Sequence, residues 1–123
     1  LTITKISYAV GKGAPMFFYN ISDRKPKEIA QGATIQTFWG ENTLLSLVKM
    51  EHMVEVPRHS HPQEQSGMIV EGEIEMGAGE EIKTLKAGDI YIIPSGIEHY
   101  AKTYSSPALI LDVFSPIRSD YQY

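Results

Sequence analysis

Cysteine is absent from the sequence. That absence excludes disulfides, thiolate metal ligands and cysteine nucleophiles, and it suits a reducing compartment. Long apolar runs are absent too, since nothing approaches the roughly 20 residues of a membrane-spanning helix. The first residues lack the basic-then-apolar layout of a secretion signal, so a cytoplasmic location and no membrane partner are expected. The chain opens on Leu1 rather than Met, and something is expected to have preceded it. Positive charge is scarce: 11 Lys and Arg against 15 Asp and Glu leave a net charge of -4. With no basic face to follow phosphates, nucleic acid is excluded as a partner. The one dense basic run, Arg24-Lys25-Pro26-Lys27, reads as a solvated turn.

Helical periodicity is missing as well. The chain offers short apolar or alternating runs, punctuated by its 10 glycines and 7 prolines. Residues 2–10 read as an edge strand or ordered arm, 11–15 as a loop, and 16–20 as a short aromatic strand. Further strands are expected at 35–39, 44–56, 68–71, 73–76, 90–93 and 108–114, with a hairpin tip at 77–80. Many short strands at this spacing predict one all-β domain over residues 1–123, a small jelly-roll barrel. The apolar outer faces of the terminal strands suit a homodimer.

The stretch Arg58-His59-Ser60-His61-Pro62-Gln63-Glu64-Gln65 organises the rest. Alternate side chains of an extended strand share a face, so His59 and His61 project together. Two neutral imidazole nitrogens side by side suit a transition metal. Pro62 breaks the ladder, and Gln65 swings in behind it as an oxygen donor. Glu64 is the rival carboxylate, but an unbroken strand points it away. A second stretch, 88–99, brings His99 on a later strand, and the two are expected to meet around one metal ion. His52 lies off both stretches and reads as an ordinary side chain. Met50, Met53, Met68 and Met76 read as core, and Tyr91, Tyr100 and Tyr104 as packing residues.

Asp112 stands out on different grounds. It sits in Ala108-Leu109-Ile110-Leu111-Asp112-Val113-Phe114, a run apolar on both faces. A lone buried carboxylate costs several kcal/mol unless it is paired, hydrogen-bonded or protonated. By alternation Asp112 shares a face with Ile110 and Phe114. If that face is the lumen, its carboxyl has a raised pKa suited to acid–base work; the other reading is a structural Asp bonded to backbone or to an arginine.

At this point the residues resemble the cupin superfamily. That family carries one motif of the form G-x5-H-x-H-x3,4-E-x6-G and a second of the form G-x5-P-x-G-x2-H-x3-N. Here the first reads His59-x-His61-x3-Gln65-x6-Gly72, and the second Gly88-x5-Pro94-x-Gly96-x2-His99. Gln65 replaces the usual glutamate, Thr103 stands at the asparagine, and Met53 at the leading glycine. The resemblance covers residues 57–103, with the motifs at 57–72 and 88–103. It implies a double-stranded β-helix and one divalent transition metal ion (Ni, Zn, Mn, Fe or Cu) held by His59, His61, Gln65 and His99.

The chain is also similar to the small single-domain cupins of pectin and alginate breakdown. The likeness lies in segments 16–20, 59–65 and 111–118. Those cupins open 4,5-unsaturated uronates to linear keto-uronates. The resemblance implies a small anionic substrate and functional roles for Asp112, Phe114 and Arg118: proton exchange, placement of the sugar and a clamp on its carboxylate. Two alternatives stay open, a metal-dependent dioxygenase of a small organic substrate and a non-enzymatic sugar- or metal-binding cupin. Oxygen uptake and uronate turnover separate the three.

Overall fold

A computed structural model describes residues 17–123. The strand expected at 2–10 and the loop at 11–15 lie outside the described residues. Ten strands follow in order: β1 (Lys27–Ala30), β2 (Ala33–Trp39), β3 (Leu44–Met50), β4 (Glu55–His59), β5 (Glu64–Glu71), β6 (Glu73–Ala78), β7 (Glu81–Lys86), β8 (Ile90–Ile93), β9 (His99–Lys102) and β10 (Ala108–Ser115). They form a six-stranded sheet, β1-β2-β3-β10-β5-β8, and a four-stranded sheet, β4-β9-β6-β7. All pairings are antiparallel. The helical elements among the described residues are two single 3-10 turns, Ile21–Asp23 and Ser119–Tyr121. None is long and apolar enough to cross a membrane. The all-β jelly roll expected from the punctuated strands is the fold observed.

Alternation along the strands decides what enters the lumen. In β10 Ala108, Ile110, Asp112 and Phe114 are buried, while Leu109, Leu111 and Val113 are half-buried on the outside. The ladder register stacks these inner positions into rows across the larger sheet. One row is apolar: Ile35, Val48, Ile110 and Ile69. With Met50, Ile74, Met76, Leu85 and Ile93 it makes the hydrophobic core. The next row is polar or small: Thr37, Ser46, Asp112, Gly67 and Tyr91. The Thr37 hydroxyl donates to the Tyr121 carbonyl, tying this row to the C-terminal turn. The site is built where the apolar row gives way to the polar one.

Three local expectations fail. The described part of the 16–20 strand, residues 17–20, is not a strand. Phe17, Phe18 and Tyr19 are exposed, and the Asn20 side chain instead accepts from the Ser22 amide to cap the first 3-10 turn, a local bond that competes with sheet pairing. Met53 and Met68 are exposed rather than core, whereas Met50 and Met76 are buried. Met53 takes the motif's glycine position with φ 55. That left-handed conformation is one a glycine adopts freely and methionine only with strain.

Candidate metal centre

His59 ends β4 and His99 begins β9, and the register sets them directly opposite each other. Their rings lie 4.3 Å apart, centre to centre. His61 is not on the strand with His59; it follows in the turn, and its ring still comes within 4.9 Å of His99. Pro62 thus does not end a ladder running through both histidines, because the ladder has already ended at His59. The three histidines form a group whose ligand atoms all lie within 4.8 Å of one another, and it could hold a metal ion. His52 is exposed and lies outside this group.

Gln65 reaches the centre from the opposite sheet. It belongs to β5 rather than to a swinging loop, and it is buried while Glu64 is exposed. The strand's own alternation selects Gln65 over its neighbour. The Gln65 Oε1 lies 2.9 Å from His61 Nε2 and 3.1 Å from His99 Nε2.

The other ring nitrogens fix the chemistry of this cluster. Nδ1 of His59 faces the Pro57 carbonyl at 2.8 Å, that of His61 the Gln63 carbonyl at 3.0 Å, and that of His99 the Ile97 carbonyl at 2.8 Å. A carbonyl only accepts, so a neutral ring placed this way carries its proton on Nδ1 and turns a bare Nε2 lone pair away from it. Burial favours the neutral rings, lowering His61 and bringing His99 down to about 4. Imidazole lone pairs and an amide oxygen therefore share a buried space with no proton among them, an arrangement that a cation resolves. The backbone carbonyls on Nδ1 are the outer partners that metal-binding histidines ordinarily have. The donor set fits a divalent metal.

Beside the centre lies Asp112, buried, with Gly67 and Tyr91 next to it in the row. Burial raises its carboxyl to about 6, against opposing pulls from Tyr91, Gln65 and the charge of Arg118. The Tyr91 hydroxyl donates to Asp112 Oδ1. Burial and the Asp112 charge raise the Tyr91 phenol well above its usual value. The space between these groups is a cavity of about 50 Å³, lined by His59, His99, Gln65, Asp112, Phe114 and Arg118 among others. Phe114 packs edge-on to His61 at 5.5 Å. Arg118 follows β10, with its guanidinium 3.9 Å from the Tyr121 ring centre and Nε 3.1 Å from Asp120 Oδ1.

The structure thus brings six of the seven candidate residues to the lining of one cavity, and the seventh, His61, stands against His99 and Phe114. It adds Tyr91, which reads from sequence as packing. The available signal was its place as the one polar side chain in the apolar run 90–93, where it faces inward with Ile93 while Ile90 and Ile92 are exposed.

The fold and this cluster together define a class, double-stranded β-helices with a histidine group in the lumen that could hold a metal ion. The pattern of the family described as "Cupin domain" matches residues 46–114, over half of the chain, and the chain belongs to that family. It is 32% identical over 94 residues to "Germin-like protein subfamily 2 member 2" of Arabidopsis thaliana, and 30% over 95 residues to member 4 of that subfamily. Each match takes in 68% of this chain but 43% of the relative, so the chain spans less than half the length of these proteins. An RmlC-like cupin from Shewanella frigidimarina superposes with a TM-score of 0.80 at 25% identity, over 88% of this chain and 97% of that one. KdgF from Halomonas sp. gives 0.79 at 24% identity, over 89% and 100%, a likeness of fold.

Proposed function

We propose that the chain is a metal-dependent enzyme that opens a small anionic sugar, a 4,5-unsaturated uronate, to the linear keto-uronate. The observation that carries this reading is the gathering of Asp112, Phe114 and Arg118 around a cavity that His59 and His99 of the histidine cluster also line. The reaction is an isomerisation. The anomeric hydroxyl loses a proton, the bond from the anomeric carbon to the ring oxygen breaks, and carbon 4 gains a proton as the enol becomes a ketone.

Asp112 is the group that takes and returns that proton. Its carboxyl, raised to about 6, is near the range where a side chain both accepts and gives a proton well. Arg118 holds the substrate carboxylate, a contact suited to two parallel hydrogen bonds. Phe114 supplies an apolar surface for the sugar ring. A divalent ion, when bound, supplies Lewis-acid polarisation of the sugar oxygens. Four neutral ligands leave its charge undiminished, which favours an anionic substrate.

Turnover of 4,5-unsaturated galacturonate under nitrogen tests the reading. At saturating metal, Asp112→Asn should lose about 10²-fold or more. Oxygen uptake with an organic substrate would move the chain to the dioxygenases, and binding without turnover would make it a binding module. The reading includes a cytoplasmic setting and a homodimer. Exposed Leu45, Met68, Ile90 and Ile92 on the outer face of the larger sheet support the dimer. A monomer in sedimentation velocity would remove that part.

A further inference from the structure

Gln65 can serve a metal from only one end. Its amide carries an oxygen and an NH2 group of similar shape, and a half-turn about the last side-chain bond exchanges them. In this structure the oxygen is the end turned to the histidines, 2.9 and 3.1 Å from two Nε2 atoms. The groups on the far side of the amide must then suit its NH2 end.

The far side is Asp112 and Tyr91. Gln65 lies two residues from Gly67 along β5, on the inner face where Asp112 and Tyr91 flank that glycine, and all three line the same cavity. The nearby Gln65 amide helps keep the Asp112 carboxyl ionised, and Tyr91 donates its own proton to Asp112 Oδ1. Turning the amide over would set its oxygen against a carboxylate, in a buried place where an unmatched acceptor is costly. Tyr91 has no second proton to offer. We propose that Asp112 and Tyr91 are positioning residues that fix the polarity of the Gln65 amide, so that its oxygen faces the metal. Gly67 makes the arrangement possible, because a side chain there would collide with the Tyr91 ring and hydroxyl and with Asp112. Asp112 thereby gains a role at the centre that is separate from proton transfer.

The proposal rests on the metal centre of the reading above, and a competition titration with Zn2+ and a chelating dye on the metal-stripped full chain tests it. The set is the parent, Asp112→Asn and Tyr91→Phe, each repeated with Gln65→Glu. A glutamate has oxygens at both ends, so with Gln65→Glu there is no polarity left to set. In Asp112→Asn, Tyr91 holds the new carbonyl and the new NH2 faces Gln65, which invites the half-turn. Asp112→Asn should weaken Zn2+ binding about tenfold or more and Tyr91→Phe a few-fold, as outer partners of ligands do. With Gln65→Glu present, neither should cost more than about twofold. Equal losses with Gln65 and with Gln65→Glu would overturn the proposal, because the two residues would then act through charge or packing. Unchanged binding by Asp112→Asn would overturn it as well. A parent that takes up no Zn2+ would bring down the metal centre itself, an outcome distinct from both.

Discussion

On the four-stranded sheet, His59 and His99 are each held by a carbonyl two residues back, those of Pro57 and Ile97. On the six-stranded sheet, Tyr91 donates to Asp112 with Gln65 beside them in the same cavity wall, and the three come from three different strands, β8, β10 and β5. One wall of the cavity is wired locally and the other at long range. A locally wired side chain keeps its aim as long as its own turn survives. A mutually wired set keeps its aim only while all three strands hold register, so a single substitution there reaches every member.

Removing the locally wired wall should have the largest effect. With His59→Ala and His61→Ala together, metal content should fall from about one divalent ion per chain to background, because an isolated remaining imidazole holds a metal weakly. Elemental analysis of the purified variant reads this directly. A full complement of metal would mean that the histidine wall is not the metal-binding one.

The next effect is a gain. In the metal-free protein the Asp112 carboxyl stands at about 6 against an ordinary 3.8, so the folded state holds its proton more tightly than the unfolded chain does. The ionised group therefore costs stability above about pH 6, and the cost fades as pH falls from about 6 to about 4. Asp112→Asn should raise the stability of the metal-free protein at pH ~8 by up to about 3 kcal/mol. The gain should be gone near pH ~4. Thermal melts across that range check it, and a gain that does not vary with pH would show that ionisation is not its source. The locally wired wall has no carboxylate to yield such a gain.

The smallest effect separates mutual wiring from mere burial. Gly67→Ala should destabilise by about 1–3 kcal/mol, since its new methyl group would run into Tyr91 and Asp112. Gly40→Ala meets nothing within 4 Å and should stay within about 0.5 kcal/mol of the parent. Denaturant melts of the pair measure the difference. Equal melts would mean that the Tyr91–Asp112 contact has slack.

This contrast also explains what could be read in the sequence. The histidines were legible because each is placed by neighbours within two residues, and short-range spacing is what a sequence displays. Asp112 was legible as buried because β10 alternates without interruption. Tyr91 was not legible as part of the site, because its partner lies 21 positions further on. Only the ladder register, with Gly67 opposite both residues, brings them together. His61 reached the expected centre by a route the alternation argument did not foresee, since a turn rather than a strand aims it. The aromatic run at 16–20 misled for the opposite reason: its composition suits a strand, yet Asn20 at its end accepts a competing bond from the Ser22 amide.

Arg118 carries one more implication for the proposed substrate clamp. Its guanidinium lies over the Tyr121 ring, and Asp120 takes it through Nε alone, at 3.1 and 3.2 Å. A long cationic side chain free in solvent surrenders rotamer entropy when a ligand pins it, about 0.5–1.5 kcal/mol for each such side chain. Here the pinning belongs to the fold. The two terminal nitrogens are parked without being consumed by Asp120, so an arriving carboxylate meets a partner whose disorder has already been removed.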